Sequence, residues 1–329
     1  MSRDLAELLE PLRRTVDHGE RITGIRQLTA GHSNETYLLE GLDRVLRVQP
    51  RGPALMGEYD LPGEHARYRA IRRQPVAPPV PEMYDLCTDQ TVIGSAFFVM
   101  ERCRGDSTDW EPPEWLTRGG AALRDRVCEQ WIHAVAVTHA MDPGTFASEP
   151  VPFADRAGRW RALAADADAP DRLLRILDDL VADPPPPSGP PACVHGDAKL
   201  ANFLWDEGAL ITVLDWEMAY VGDPLYDLGY IVALMPSTVG ERGFPPFNDL
   251  PGWWNRGRIL DTWENHTGRS AEHVGRYEVL AMGMVTTLFA RGIQLVRRGE
   301  SCDPRYVAWE RSLPWFLDRM QKRAQAPIP

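Results

Sequence analysis

The stretch from Cys193 to Gly229, CVHGDAKLANFLWDEGALITVLDWEMAYVGDPLYDLG, constrains this chain more than any other. Its apolar lead-in, Ala192-Cys193-Val194, reads as a short strand that delivers His195-Gly196-Asp197. Asn202 comes five residues after Asp197, followed by a strand, a tight turn and a second strand that ends in Asp215. Two carboxylates and an amide thus arrive at strand ends, where an α/β scaffold can hold polar groups rigidly at the edge of a cleft. Three such groups at this spacing suit phosphoryl transfer. That chemistry needs one carboxylate to accept a hydroxyl proton, plus an amide and a second carboxylate to hold Mg²⁺ against the phosphates. Asp197, Asn202 and Asp215 fit those roles in that order.

The pattern H-G-D-x-x-x-x-N, followed by a strand hairpin and L-D-W-E, resembles the aminoglycoside phosphotransferase family, small-molecule kinases built like protein kinases. Gly222-Asp223-Pro224 with Asp227-Leu228-Gly229 looks like the G-D-P-x-x-D-L that follows in that family. Two motifs at this separation are far more specific than either alone. The resemblance implies an α+β, bilobal, protein-kinase-like fold, with a small β-rich N-terminal lobe over residues 1–105 and a larger, mainly helical lobe over 106–329. It further implies ATP and Mg²⁺ in the cleft and a small hydroxylated substrate on the helical lobe. Asp197 would take the hydroxyl proton, and Asn202 and Asp215 would hold the metal. Lys199, two residues after Asp197, matches the lysine of H-R-D-x-K-x-x-N in Ser/Thr kinases, where an ammonium can meet the transferring phosphoryl group. Its bland alternative is a solvent-facing loop lysine in an arginine-biased chain with only Lys199 and Lys322.

Upstream, Ile22–Leu28, Thr36–Glu40 and Val45–Val48 read as strands, the first two joined through Ala30-Gly31-His32-Ser33-Asn34-Glu35. That joint is similar to the family's G-G-x-S-N-x-T segment, which implies that Gly31, Ser33 and Asn34 face the phosphates; read alone, it is an ordinary hairpin turn. A Walker-type loop is excluded, because Glu58 stands where the lysine would follow Gly52–Gly57. Strand alternation puts Val45 and Arg47 on one face, the arrangement of the A-x-K pair of a kinase third strand, with arginine in place of lysine. Guanidinium and ammonium are not interchangeable at a phosphate. Residues 64–71 look helical, and Glu64 matches the acid that pairs with the third-strand cation, against the alternative of a surface glutamate among Arg67, Arg69 and Arg72. Val80-Pro81 and Thr91–Met100 supply the remaining strands, leading into Glu101-Arg102-Cys103, where a kinase hinge would meet adenine. Glu101 and Cys103 are therefore expected at the nucleotide.

In the second part, Leu123, Val127, Trp131 and Val135 make a buried stripe on a helix over 121–140. His139 near its end reads as a packed histidine bonded to backbone. A second helix over 173–181 is stopped by four prolines, 184–187. Trp253, Trp254, Trp263 and Phe289 are expected in the core. Asp223 and Asp227 are expected to brace the backbone around Asp215, because Gly-Asp-Pro is a turn sequence, and Glu217 is expected to be structural. An amphipathic helix over 2–16 begins the chain without the apolar region of a signal peptide.

Charge is uneven. Residues 1–105 hold 14 Lys and Arg against 15 Asp and Glu, while residues 106–329 hold 22 against 32, so the net −11 sits almost wholly in the second part. Such a balance disfavours nucleic acid as a partner. It is compatible with a cationic acceptor, since residues 106–183 carry 15 acids against 8 bases; a solvated acidic surface is the plainer account. Amino sugars thereby take a slight lead over the anionic hydroxyacyl thioesters suggested by Val45-Leu46-Arg47 and Leu214-Asp215-Trp216-Glu217, which look closest to the branch of the family associated with acyl-CoA dehydrogenases. A nucleotide-binding pseudokinase stays open because of Arg47, whereas a hydrolase would need a G-x-S-x-G elbow that is absent. Five scattered cysteines without C-x-x-C spacing argue against a disulfide framework or zinc site. The longest apolar run, Met282–Ala290, falls short of the roughly 20 residues of a membrane span. A cytoplasmic protein with no membrane partner is expected, its oligomeric state open.

Overall fold

A computed structural model describes residues 3–28, 34–108, 112–236 and 243–325; Gly31 and Ser33 lie outside the described residues. Helix α1 (Leu5–Thr15) starts where the Asp4 carboxylate accepts the Ala6 N–H, and its Leu8 and Leu12 are buried under a five-stranded antiparallel sheet. The sheet comprises β1 (Gly24–Gln27), β2 (Glu35–Glu40), β3 (Arg44–Val48), β4 (Met83–Cys87) and β5 (Phe97–Glu101), in the order β1-β2-β3-β5-β4. Alternation along β3 assigns its two faces. Leu46 and Val48 pack with Leu12 and Phe97 on the α1 side, while Val45 joins Phe98, Met100 and the helix α2 (Leu61–Arg72) on the other. Asp60 caps α2 by accepting the Gly63 N–H at 3.0 Å, and the helix turns Glu64, Tyr68 and Ile71 inward.

Residues 80–100 differ from the sequence expectation. The strand lies at Met83–Cys87, and Thr91 to Gly94 form a turn, so β5 begins only at Phe97. The Asp89 carboxylate accepts from both the Thr91 N–H and its hydroxyl, at 2.9 and 2.7 Å. This local side-chain bonding overrides the strand preference of Thr91-Val92-Ile93.

Beyond the linker Arg102–Asp106, the chain forms α3 (Glu114–Arg118), α4 (Ala121–Ala140), α5 (Phe153–Asp166) and α6 (Asp171–Ala182). Short strands follow: β6 (Ala192–Val194), β7 (Phe203–Asp206), β8 (Ala209–Val213) and β9 (Tyr220–Gly222), with β7 paired to β8 and β6 to β9. The β7–β8 turn uses Glu207 and Gly208, both at positive φ, as a tight hairpin requires. Helices α7 (Leu225–Ala233), α8 (Arg256–Thr267), α9 (Val274–Arg297) and α10 (Pro304–Gln325) complete the lobe. Helix α9 as a whole is long and apolar enough to cross a membrane, although no single run within it is; it is mostly buried, packed against α5, α6, α7 and α10. Gly229 of α7 permits part of this packing, because a Cβ there would come within 2.6 Å of the Tyr277 backbone.

Candidate active site

The catalytic-loop candidate leaves β6 at Val194 and turns at Gly196, whose φ of +85° suits glycine. A Cβ at this position would sit 2.4 Å from the Met218 carbonyl oxygen, so the loop passes that backbone only as glycine. The turn is pinned from below. The two Asp227 carboxylate oxygens accept the N–H groups of His195 and Gly196 at 2.7 and 2.8 Å. Asp227 itself is fully buried and meets His139 Nε2 at 3.0 Å. The Trp263 indole donates to His139 Nδ1 at 2.9 Å, which leaves the ring hydrogen on Nε2, pointing at Asp227. His139 is therefore packed, as expected, but its partners are a carboxylate and an indole and not backbone. Asp223 braces the neighbouring turn by accepting the Ser188 N–H and hydroxyl and the Leu225 N–H.

His195 links two halves of the site. Its Nε2 donates to the Leu214 carbonyl at 2.9 Å, and its Nδ1 accepts the Asp197 N–H at 3.2 Å. The residue before Asp215 is thereby tied to Asp197. Asp197 Oδ2 accepts from Lys199 Nζ at 2.7 Å and from Asn202 Nδ2 at 2.8 Å, and neither donor uses Oδ1. Burial alone would raise this carboxyl, but the Lys199 ammonium and the two donors hold it below the ordinary carboxylate range. Lys199 is thus held against Asp197 and is only partly exposed.

Asp215 sits at φ +68°, ψ +54°, a left-handed conformation that aspartate tolerates better than most residues. Its N–H donates to the Tyr68 hydroxyl of α2 at 2.9 Å, and its Oδ1 accepts from Arg47 Nη2 at 2.5 Å. Arg47 also lies 3.2 Å from Glu64 and 3.8 Å from Glu217. Asn34 Nδ2 donates to Glu217 at 3.1 Å and reaches Glu64 at 3.4 Å. Glu217, expected to be structural, is thus part of the ionic cluster that faces the cleft. Glu64 is no surface residue: it is fully buried behind Arg47. Desolvation pushes its carboxyl up to about 7, against the opposing pull of Arg47. For Arg47 burial works against the charge, yet the three surrounding carboxylates keep it firmly protonated.

This arrangement gives a stability expectation. A carboxyl raised from 4.5 to about 7 in the folded chain contributes stability that is complete below about pH 4.5 and is lost as pH rises through about 7. Relative to Glu64→Gln, the wild-type chain should therefore weaken between pH 4.5 and 7, by about 3 kcal/mol at most. Denaturant midpoints of both proteins across that range test it; parallel pH profiles would contradict the buried assignment.

Arg47, Glu101, Cys103, Asp197, Lys199, Asn202 and Asp215 all line one cavity of about 700 Å³ between sheet and helices. The helical lobe gives this cavity an apolar and aromatic lining: Ile231 of α7 and Leu234 just past its end, Met284, Leu288 and Phe289 of α9, and Trp309 and Phe316 of α10. Phe289 stacks on Trp309 at 4.6 Å between ring centres, so it is a cavity wall as well as a core residue. Among the described residues from 106 to 183, only Ser107, Thr108 and Trp131 line the cavity, and no carboxylate does. The described carboxylates of that segment thus lend no support to a cationic acceptor. Tyr68, Leu55, Met56 and the α10 residues were not singled out from the sequence. Tyr68 was the findable one, four residues after Glu64 on the same helical face.

Hard oxygen donors suit Mg²⁺, which is ordinarily held by one or two carboxylates together with substrate phosphates. Among the described residues no three His, Cys, Asp or Glu side chains form a self-sufficient metal cage. Asp215 and the Asn202 amide oxygen, whose Nδ2 is spent on Asp197, fit the shared kind of site.

The sequence model of the phosphotransferase enzyme family matches residues 24–260. Acyl-CoA dehydrogenase family member 11 of Gallus gallus is 30% identical over 219 residues, which cover 63% of this chain and 27% of that protein. Family member 10 of Mus musculus is 29% identical over 231 residues, covering 66% of this chain and 21% of that one. The chain thus spans about a quarter of the length of these relatives. Among solved structures, a Ralstonia eutropha protein assigned as an aminoglycoside phosphotransferase superposes with a TM-score of 0.75 at 22% identity, covering 98% of both chains. The streptomycin–ATP complex of APH(2″)-IIa gives 0.61 at 15% identity, covering 99% of each. These similarities establish a bilobal, kinase-like α+β fold.

Proposed function

The chain belongs to the phosphotransferase enzyme family, and from that premise we propose that it moves the γ-phosphoryl group of ATP, with Mg²⁺, onto a hydroxyl of a small molecule. The observation that carries this reading is the convergence of Asp197, Asn202, Asp215 and Arg47 on one cavity, from three separate segments. When bound, Mg²⁺ would neutralise phosphate charge. Asp215 and Asn202 would hold it, and Arg47, set by Glu64, would face the α- and β-phosphates. The hinge residues Glu101 and Cys103 would flank the base, opposite Leu28, Val45 and Met100. Asp197, kept ionised by Lys199 and Asn202, would orient the acceptor hydroxyl and receive its proton through Oδ1, while positioning and electrostatics supply most of the rate. ADP release that requires an added hydroxyl compound tests the reading; nucleotide binding without turnover for any acceptor would favour a regulatory module.

The acceptor follows from the apolar lining of the cavity. An aromatic and aliphatic arm without carboxylates fits the apolar chain of a hydroxyacyl thioester better than an amino sugar, and the acyl-CoA dehydrogenase names of the relatives support the same choice. Each methylene buried there contributes ~0.8 kcal/mol. Across a series of hydroxyacyl thioesters, kcat/KM should therefore climb up to about fourfold per added carbon until the arm is full. Faster turnover of a kanamycin-type amino sugar than of any chain length would defeat this assignment.

A further inference from the structure

A second cavity of about 580 Å³ adjoins the first, and the proposed reaction leaves it unused. Met56, Glu217 and Met218 line both, so a thin wall parts them. Deep within it, the Arg156 guanidinium of α5 lies over three rings, 4.4 Å from the centre of Tyr220, 5.0 Å from Tyr226 and 5.5 Å from Trp160. Aromatic faces hold a cation in place without cancelling its charge. Among the described residues no carboxylate pairs directly with Arg156 or Arg159, although the buried Asp227 is near enough to Arg156 to favour its charge. Arg156 Nε finds no hydrogen-bond partner there, while the Tyr226 hydroxyl lies within reach of the guanidinium and of the Trp160 indole, itself only 6% exposed. Arg67 also borders the pocket but is held by Asp60 at 2.8 Å. Of the three carboxylates present, Glu217 is turned to Asn34 and Arg47, and Glu58 and Glu149 are exposed at the rim.

We propose that this pocket is a binding site for an organic phosphate, held by Arg156 and Arg159. A buried guanidinium N–H without a partner is costly, and its planar fork matches two phosphate oxygens at once. An anion seated there would lie between α5 and α2, the helix that carries Glu64. The phosphate could belong to the acceptor itself, threaded past Met56 and Met218, or to a separate ligand. The first source rests on the kinase reading above; the site does not.

Calorimetric titration of the full chain with inorganic pyrophosphate, its catalytic cavity first saturated with MgADP, reads the site without any turnover. Saturable binding is expected, weakened at least about tenfold in Arg156→Met and in Arg159→Gln. Arg159 is exposed, so its variant keeps the test open if Arg156→Met fails to fold. No saturable binding to the wild type, or equal affinity in Arg159→Gln, overturns the proposal. Kinetics with a hydroxyacyl phosphopantetheine and the same hydroxyacyl pantetheine then separate the sources. A KM that rises in Arg159→Gln for the phosphorylated compound alone makes the phosphate the acceptor's own. Unchanged KM values beside lost pyrophosphate binding make it a separate ligand.

Discussion

Asp197→Ala is expected to lower kcat by about 10²–10⁴-fold, the usual contribution of a positioned general base, with nucleotide affinity nearly unchanged. The geometry explains both parts. Asp197 is 8% exposed, and its Oδ2 is occupied by Lys199 and Asn202, so the group is ionised and oriented before any acceptor arrives. Removing the carboxylate leaves the Lys199 ammonium and the Asn202 amide without that acceptor but leaves Asp215, Arg47 and Glu64 in place. Asp197→Asn separates base from scaffold, because an amide keeps the shape and cannot take the proton. The measurement is single-turnover phosphate transfer at saturating ATP; near-normal rates in both variants would remove Asp197 from the reaction.

Asp215→Ala should be comparably severe and different in kind. A metal held by Asp215 would stabilise developing charge by several kcal/mol, and loss of only ~3 kcal/mol slows a reaction about a hundredfold. Asp215 is the sole carboxylate among the proposed metal ligands, so its removal should abolish the Mg²⁺ dependence of nucleotide binding as well as turnover. It should also free Arg47 from its 2.5 Å partner. Nucleotide affinity measured with and without Mg²⁺ distinguishes the cases. If the variant binds MgATP and turns over like the wild type, the metal is held elsewhere.

Much of this site was legible before any coordinates because its parts lie at strand ends, where local sequence dictates local geometry. His195-Gly196-Asp197, Asn202 and Asp215 are separated by a hairpin too short to permit many arrangements. The β3 alternation likewise put Val45 and Arg47 on one face, as the cavity lining bears out. What escaped notice depends on tertiary approach. No spacing joins Trp263 to His139 across 124 residues, or brings Trp309 beside Phe289. The expected early start of β5 had another cause: three β-branched residues in a row, Thr91-Val92-Ile93, read as strand, and the Asp89 side chain bent them into a turn. Charge is legible only as a sum, since a tally over residues 106–183 carries no information about which carboxylates face inward.

Arg47 belongs to the sheet, whereas Asp215 and Glu217 belong to the helical lobe, and Asn34 reaches across to the same glutamate. The guanidinium proposed to meet phosphate is therefore also a clasp between the two halves of the molecule. Phosphates entering the cleft must take over one side of that clasp, so filling the site and loosening the hinge become a single event. On that reading nucleotide exchange would be gated by the swapping of one ionic contact for another, and because Arg47 is buried, bulk salt would screen that contact only weakly.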